Sequence, residues 1–263
     1  MTQYEVFAIR YGTRAGRYKD RFLGGDAHDG PSSVDYFVWV AVGNDKTFVI
    51  DTGFTAEDAV ARKRTMLRCP IDTMKELGIK AENVTDVVLT HLHYDHAGNF
   101  ARFPNATLHL QDKEMEFATG RFMQSSIPAA AYDVDDIAEL VRLNFSGRLR
   151  FHDGAAEIAP GFTVHRMGGH TAGVQCVRVY TRRGWVVLAS DSSHFYDNFI
   201  NYRPYPTVFD LAEMLNGYST LRQLAATIDH IIPGHDPLVM NKYPPVSRAM
   251  EGVIVRLDVQ PTS

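Results

Sequence analysis

Runs of apolar residues separated by short polar breaks dominate the first 51 positions, a pattern typical of β-strands. Three runs rich in aromatic and β-branched residues predict strands at 4–12, 34–43 and 46–51. The Gly-Asn-Asp at 43–45 predicts a hairpin turn between the last two of these strands. Residues 55–80 are predicted to be helical, with Pro70 opening a second helix that ends near Gly78.

The rest of the chain repeats this order of strands followed by helices. Further strands are predicted at 86–90, 106–110, 148–152, 162–167, 174–181, 185–190, 228–232 and 252–259. Helices are predicted around a loop near 120–132, and again at 207–226. Two batches of strands, each followed by helices, favour two sheets with helices packed outside. Because the sequence has no repeat or linker, residues 1–263 are predicted to form one domain with a helical and loop insertion near 111–146.

Composition narrows the class of protein. At 263 residues, with 45% hydrophobic and 22% charged residues, the chain suits one large globular domain with a sizeable core. A net charge of -4 lacks the basic excess of a nucleic-acid-binding protein, so no nucleic acid is expected. The isolated Cys69 and Cys176 form no CxxC pair and fit a reducing cytosol. With no signal-peptide pattern and no run of about 18 apolar residues, we expect a cytoplasmic protein without a membrane partner.

Three of the 11 histidines crowd into the stretch VTDVVLTHLHYDHAGNF at 84–100. His91 and His93 fall where a predicted strand ends, and a locally extended chain places alternate side chains on one side. Asp95 and His96 follow as the chain turns into a helix, and they are free to point elsewhere. This HxHxDH spacing serves two adjacent metal ions better than one.

Three further residues of ligand type each follow an apolar strand, where loops converge and sites are built. His170 lies in MGGHTAG, Asp191 in VVLASDSSHF and His235 in IIPGHDP. Imidazole and carboxylate ligands suit zinc, with manganese, iron or cobalt as the alternatives. The sequence therefore predicts a site for two divalent metal ions.

The motifs HxHxDH, GHT, a strand-end aspartate and a late PGH follow the order and spacing of the metallo-β-lactamase superfamily. The chain resembles that superfamily over residues 34–240. Within it, the DTGF at 51–54 and the SDSSHFYDNF at 190–199 are most similar to the N-acyl homoserine lactonases and related small-molecule lactonases. The resemblance implies an α/β fold of the αββα sandwich type, in agreement with the two batches of strands.

The resemblance also implies how the ligands are shared between the ions. The first metal ion would be held by His91, His93 and His170. The second would be held by Asp95, His96 and His235. Asp191 would bridge both ions, and Asp51 matches a family position that supports a ligand histidine and fixes its tautomer.

The resemblance implies the opening of a lactone, either an N-acyl homoserine lactone or another small lactone, by a hydroxide that bridges the two ions. Asp95 is the family's residue for moving a proton onto the leaving group. Many acyl-homoserine lactonases have a tyrosine three residues after the bridging aspartate, where this chain has His194. An imidazole can also donate a hydrogen bond to the substrate carbonyl. The change leaves a different lactone or a small cyclic amide open as the substrate.

Other residues of ligand type are not expected to bind metal. Four histidines on or beside predicted strands are expected to be surface or core residues: His109, His152, His165 and His230. His28, on a glycine-rich loop, is kept as an outside candidate for a residue that borders the site. Neither cysteine is expected to replace a ligand, whereas a cysteine in place of Asp191 would have favoured the true β-lactamases. The aromatic stretch at 196–209 fits core packing and a pocket wall equally well.

Several other functions share parts of this pattern. A thioesterase of the glyoxalase II type shares the ligands but usually has a basic C-terminal region, and here that region is nearly neutral. The net charge of -4 is a poor fit to a nuclease, which binds polyanionic nucleic acid. A persulfide dioxygenase uses one iron and can dispense with the second ligand set, and a non-catalytic binding module needs neither set. The loop at 118–132 is expected to shape either the pocket or the contact of a homodimer.

Overall fold

The structure is a computed structural model that describes residues 1–262. Its strands are β1 (Glu5–Arg17), β2 (Pro31–Val42), β3 (Thr47–Ile50), β4 (Thr65–Met66), β5 (Asp86–Val88), β6 (Thr107–Gln111), β7 (Leu149–His152), β8 (Ala155–Ala159), β9 (Phe162–Arg166), β10 (Gln175–Thr181), β11 (Gly184–Ser190), β12 (Ile231–Pro233) and β13 (Ile254–Arg256). Its α-helices are α1 (Ala56–Ala61), α2 (Pro70–Thr73), α3 (Tyr94–Ala97), α4 (Asp112–Ala118), α5 (Ser126–Ala129), α6 (Val134–Phe145), α7 (Tyr196–Asn201), α8 (Leu211–Leu224) and α9 (Leu238–Lys242). Short 3-10 helices lie at Tyr18–Arg21, Met74–Leu77, Ala81–Asn83, Phe100–Arg102, Arg121–Gln124, Ile228–His230 and Arg248–Met250. None of the helices in the described range has the length and apolar character to cross a membrane.

The first sheet has the strand order β13-β1-β2-β3-β5-β6-β7, and β4 also pairs with β1. Strands β1 to β3 are antiparallel, whereas β3, β5, β6 and β7 run parallel. Both faces of β2 are buried, since Tyr36 and Val38 belong to one core cluster and Phe37 and Trp39 to the other. A strand covered on both faces needs a continuous apolar run, which explains the sequence at 36–42.

The second sheet has the order β12-β11-β10-β9-β8, in which β11 and β12 are parallel and the other pairs antiparallel. Phe48 of β3 stacks on Phe162 of β9 with ring centroids 4.0 Å apart, so the two sheets pack face to face. Helix α8 packs against β11 of the second sheet and adds Tyr218 and Leu221 to the same core cluster. Helices on the far side of the first sheet bury residues such as Leu140 of α6. The layers are helix, sheet, sheet and helix, which confirms the predicted αββα sandwich.

The prediction of helix throughout 55–80 was wrong in part. Helix α1 ends at Ala61, and β4 then pairs with β1 at Gly12 and Thr13. The free edge of β1 offers backbone hydrogen bonds that outweigh the local helical propensity of this segment. The second helix does begin at Pro70, and the turn after it ends at Gly78 with a φ of 73°.

Residues 112–148 connect the parallel strands β6 and β7. The expected loop near 120–132 contains a 3-10 helix at Arg121–Gln124 and the short α5. The sequence prediction also missed β8, α7 and α9, and it began α8 at 207 instead of Leu211. Each missed element has only five or six residues, which is too few to show a clear period in the sequence.

Side-chain hydrogen bonds join the ends of β3, β5 and β11 next to the ligand residues. The backbone turns sharply after β3 and at the end of β11, where Asp51 and Ser190 have φ angles of 61° and 47°. Non-glycine residues in this left-handed region are uncommon and concentrate at functional sites. Thr90, just after β5, has its Oγ1 2.8 Å from both Asp51 Oδ2 and Ser190 Oγ. These bonds fix the strand ends from which the ligand residues project.

Candidate metal centre

The loop after β5 carries the HxHxDH residues into the interior. His91 and His93 precede α3, which carries Asp95 and His96. The ring centroid of His91 lies 4.5 Å from that of His93 and 4.1 Å from that of His96. All four side chains are buried. Buried polar side chains gathered this closely need partners other than water.

One group of ligand atoms belongs to His91, His93, His170 and Asp191, and these atoms lie within 4.8 Å of one another. His170 Nε2 lies 3.0 Å from His93 Nδ1 and 3.1 Å from Asp191 Oδ2. Two nitrogens bound to one tetrahedral zinc ion lie about 3.4 Å apart. The four side chains are therefore spaced as ligands of one ion.

A second group consists of Asp95, His96 and His235. His96 Nε2 and His235 Nε2 lie 3.7 and 3.8 Å from Asp95 Oδ2. The same two nitrogens lie 3.3 and 2.9 Å from Asp191 Oδ1. The two groups meet at Asp191, whose Oδ2 faces the first group and whose Oδ1 faces the second.

Three buried atoms of the two ligand groups have no hydrogen-bond partner among residues 1–262: His91 Nε2, His96 Nε2 and Asp191 Oδ1. Buried polar atoms in folded proteins are otherwise almost always paired. Imidazole nitrogens and carboxylate oxygens are also the donors that zinc and similar divalent ions prefer. The residues present therefore fit a pair of divalent metal ions.

Oxygen atoms behind three of the histidines hold the rings in place. His96 Nδ1 donates to Asp51 Oδ2 at 2.7 Å. The Nδ1 atoms of His170 and His235 each lie 2.8 Å from a backbone carbonyl oxygen, which can only accept. With the proton on Nδ1, the lone pair of Nε2 points to the centre, as metal binding requires.

Burial keeps part of the cluster uncharged. Burial lowers the pKa of His91 and His93 well below the usual value, and neighbouring imidazoles lower it further. Burial opposes charge on Asp191, but the surrounding histidines outweigh it and hold the pKa of this carboxyl well below its usual range. Neutral imidazoles beside an ionised carboxylate are the protonation states that bind divalent metals.

His96 and His235 behave differently. Burial lowers the pKa of each ring, but Asp191 and Asp95, joined by Asp51 at His96, together outweigh burial and raise both pKa values above the usual one. A proton therefore occupies this half of the cluster when no metal ion is bound. A divalent ion would displace it, so metal binding here releases protons and weakens in acid.

The structure places His194 inside the ligand cluster. Its Nε2 lies 3.1 Å from Asp191 Oδ2, and its donor atom forms a third group of ligand atoms with those of Asp191 and His235. Tyr205 stacks on the imidazole ring with centroids 3.6 Å apart and an angle of 15° between the planes. Burial lowers the pKa of His194 to about 3, so the ring is neutral at physiological pH. The stacked tyrosine, 11 residues away in the chain, was not predicted from the sequence.

Glu114 of α4 is a functional residue that sequence reasoning missed. It is fully buried, and its Oε1 accepts from the Leu92 backbone N–H at 3.0 Å and from the Tyr132 hydroxyl at 2.9 Å. Its Oε2 accepts from the Thr171 hydroxyl and from the Gly173 N–H. One carboxylate thus joins the loop of His91 and His93 to the loop of His170. Nothing in its local sequence distinguishes it from a surface glutamate.

The other histidines lie away from the cluster. His109 lies between His152 Nε2, at 3.0 Å, and Asp86 Oδ1, at 3.1 Å. His165 contacts Thr163, and His230 contacts the carbonyl of Arg183. His28 has a side chain that is 95% exposed and lies outside the pocket, so the expectation that it borders the site was wrong.

A pocket of about 530 Å³ opens above the two ligand groups. The ligands His93, Asp95, His170, Asp191 and His235 line it together with His194. The aromatic stretch at 196–209 divides between its two expected roles. Tyr196 and Phe199 pack in the core, whereas Tyr205 to Phe209 line the pocket.

The chain is similar to known proteins. The family model described as the Metallo-beta-lactamase superfamily matches residues 31–235. An N-acyl homoserine lactonase of Bacillus cereus is 28% identical over 214 residues, which cover 80% of this chain and 78% of the relative. The N-acyl homoserine lactonase AttM of Azorhizobium caulinodans is 28% identical over 175 residues, which cover 62% of each chain.

Solved structures share the architecture. A quorum-quenching N-acyl homoserine lactone lactonase has a TM-score of 0.74 at 23% identity, over 90% of this chain and 93% of that one. The hydrolase AbOPH in the beta lactamase superfamily has a TM-score of 0.70 at 17% identity, over 100% of this chain and 98% of that one. The family model and these folds confirm the resemblance seen in the sequence, and the chain belongs to the metallo-beta-lactamase superfamily.

Proposed function

We propose that this protein is a lactonase that opens lactone rings with the help of two divalent metal ions. The observation that carries the proposal is Asp191, because its two carboxylate oxygens face two different groups of ligands. Relatives named N-acyl homoserine lactonases support a lactone ester as the bond that is cleaved. Zinc is the first choice of metal, with manganese, iron or cobalt as alternatives.

In this proposal each group of ligand atoms described above holds one of the two metal ions. One ion would be held by His91, His93, His170 and Asp191. The other would be held by Asp95, His96, His235 and the second oxygen of Asp191. When bound, such ions supply Lewis acidity and a water that ionises near neutral pH. Asp51 keeps His96 in the tautomer that binds metal.

Asp95 is the residue that transfers the proton from the attacking water to the leaving group in this proposal. Its carboxylate lines the pocket floor and lies beside His96 and His235. From this position it can accept the proton of the attacking water and pass it to the leaving oxygen of the opened ring. No side-chain nucleophile is required, since water itself attacks the ester carbon.

His194 stabilises the substrate carbonyl in this proposal. The neutral imidazole keeps one N–H, and Tyr205 clamps the ring so that Nε2 is directed at the ligand cluster. A donor fixed in this way binds the carbonyl oxygen more strongly as negative charge develops on it. It would replace the tyrosine that many acyl-homoserine lactonases have at this position.

We also propose that residues 1–263 act as one hydrolase domain. The segment 111–146 contributes Phe117, Ile127 and Tyr132 to the pocket wall, so the insertion shapes the site. Both cysteines are free thiols, which supports a reducing cytoplasm as the location.

The test is a pH-indicator hydrolysis screen of the purified, metal-loaded protein. It includes homoserine lactones of varied acyl length, γ- and δ-lactones, lactams, S-lactoylglutathione and a β-lactam. Lactones should be hydrolysed with a much higher kcat/KM than any other class. Asp191→Ala should abolish the activity, and His165→Ala, which alters a histidine on β9 outside the pocket, should keep it. Preference for S-lactoylglutathione would contradict the lactonase assignment and favour a thioesterase.

A further inference from the structure

The pocket above the metal ligands is lined by two unlike sets of side chains. One set, called the apolar wall, includes Phe117, Ile127 and Phe209. The other set includes the arginines Arg14 and Arg64. A simple N-acyl homoserine lactone has no charge that would use two cations, so the arginines indicate a different requirement of the substrate.

Arg64 is held in place but its charge is not matched. Its Nε donates to the Tyr94 hydroxyl at 2.8 Å, and its Nη1 donates to the backbone carbonyl of Arg62 at 2.6 Å. Its Nη2 has no hydrogen-bond partner in residues 1–262, and no carboxylate there forms an ion pair with it. The side chain is half-buried, so a fixed guanidinium edge faces the pocket.

Arg14 of β1 shows the same pattern. Its only side-chain hydrogen bond within the described chain runs from Nη2 to the Tyr205 hydroxyl at 3.5 Å, which is long. Its Nε is buried without a partner, and no described carboxylate pairs with it. Burying a cation without a counter-ion is costly, which makes an unpaired guanidinium in a pocket a candidate for ligand binding.

Arg14 and Arg64 line the same pocket as Tyr36 and Asp95. Burial raises the pKa of Tyr36 to about 12, and the positive charges of Arg14 and Arg64 limit the rise. Asp95, whose charge acts on Arg64, makes no ion pair with it among residues 1–262 and belongs to the second ligand group. The two guanidiniums, which share the pocket with the metal ligands, are called the cationic patch.

Arg62, the third arginine of the pocket, differs from the other two. It lies 3.6 Å from Asp58 Oδ1 and donates to the backbone carbonyls of Ala130 and Tyr132. Arg62 thus has a carboxylate partner within the protein, and its hydrogen bonds to Ala130 and Tyr132 link the segment 111–146 to α1. The contrast shows that an arginine in this pocket can be paired, and that Arg14 and Arg64 are not.

We propose that Arg14 and Arg64 bind a carboxylate of the substrate, so that the preferred lactone is an anionic one. This inference rests on the proposed lactonase function for the identity of the bond that is cleaved. The planar fork of an arginine matches the geometry of a carboxylate, and hydrogen bonds between charged groups are the strong ones. The ester would lie over the metal ligands, the carboxylate on the cationic patch and any alkyl part against the apolar wall.

The first test measures binding without turnover. Isothermal titration calorimetry compares 3-oxocyclopentanecarboxylate, which has no ester to open, with its neutral primary amide. The acid should bind the wild type about 10- to 100-fold more tightly than the amide. Arg14→Met and Arg64→Met should each bring the ratio of the two affinities close to one, and Arg→Lys at either site should restore part of it.

The second test measures turnover on a matched pair, 5-oxotetrahydrofuran-2-carboxylate and its primary amide. The ratio of kcat/KM for acid over amide should be high in the wild type, fall towards one in both methionine variants, and stay high in the control Arg150→Met, an exposed arginine of β7. Melting temperature and metal content confirm that each variant is folded and loaded.

The outcomes separate the two proposals. Opening of both lactones with a ratio near one in the wild type would overturn the anionic substrate and leave the lactonase intact. Arginine-dependent binding of the acid without opening of any lactone would support the carboxylate site and refute the lactonase. Equal binding of acid and amide in the calorimeter would refute the carboxylate site whatever the turnover shows.

Discussion

Replacing Glu114 with glutamine tests whether one buried carboxylate holds the metal site together. The variant keeps the shape of the side chain but turns one of its two acceptor oxygens into a donor. In the wild type, Oε2 accepts from Thr171 and Gly173, and Oε1 accepts from Leu92 and Tyr132. If the new amide faces Thr171, the threonine hydroxyl can rotate to accept, but the Gly173 N–H is left facing another donor.

The expected loss follows from these contacts. One buried N–H without a partner costs roughly 1–3 kcal/mol, and a hydrogen bond to a charged acceptor is replaced by weaker neutral ones. We expect the free energy of unfolding to fall by about 2–3 kcal/mol. Affinity for the metal ion at the His91, His93 and His170 group should fall about 10- to 100-fold, because supporting groups of this kind position the ligands.

Urea denaturation of the metal-free protein measures the first quantity, and competition with a chelator measures the second. Tyr132→Phe removes one of the four bonds and should cost only about 1 kcal/mol. Glu116→Gln on the same helix is the control, since Glu116 is exposed and, among residues 1–262, forms an ion pair only with Lys113 at 2.7 Å. If Glu114→Gln unfolds and binds metal like Glu116→Gln, the bracing role is refuted.

Three further predictions concern histidines and their partners. His194→Ala should keep its metal ions but lose up to about a hundredfold in kcat/KM, and His194→Tyr should recover part of that; unchanged kcat/KM would reduce His194 to scaffolding. Asp51→Asn should weaken metal binding about 10- to 100-fold by chelator competition, since it perturbs the bond that orients His96. Burial lowers the pKa of His152 to about 4, so the neutral ring stabilises the fold fully above about pH 6.5, and this contribution is lost as the pH falls from about 6.5 towards 4. Between pH 7 and 4, the metal-free wild type should therefore lose about 1–2 kcal/mol more unfolding free energy than His152→Gln, after discounting for partial exposure, and equal losses would contradict the assignment.

The two sheets were predictable because their central strands are covered on both sides. Such strands require unbroken apolar runs, and the run at 36–42 of β2 is one of them. The short β4 was not predictable, because residues 65 and 66 become a strand only through pairing with Gly12 and Thr13 of β1. That contact joins segments about 50 residues apart and leaves no periodic signal in either.

The ligand residues were visible in the sequence because their chemistry is rare and their spacing is distinctive. HxHxDH concentrates four donors in six positions, and His170, Asp191 and His235 each follow a strand. The pocket walls carry no such signal. Arg14 and Arg64 come from distant segments, and their significance is the missing counter-ion, which only the folded chain reveals.

The central claim is that Asp191 is shared by two metal ions in one active site, and metal stoichiometry tests it most directly. Elemental analysis after mild purification should give about two metal ions per chain, with hydrolysis lost on removal and restored on return of the metal. Asp191→Ala should lose affinity at both positions together, because its Oδ1 faces one ligand group and its Oδ2 the other, while His165→Ala keeps both ions. A wild-type protein that is fully active with one ion and consumes oxygen with persulfides, or an Asp191→Ala variant that keeps two ions and wild-type rates, would contradict the account.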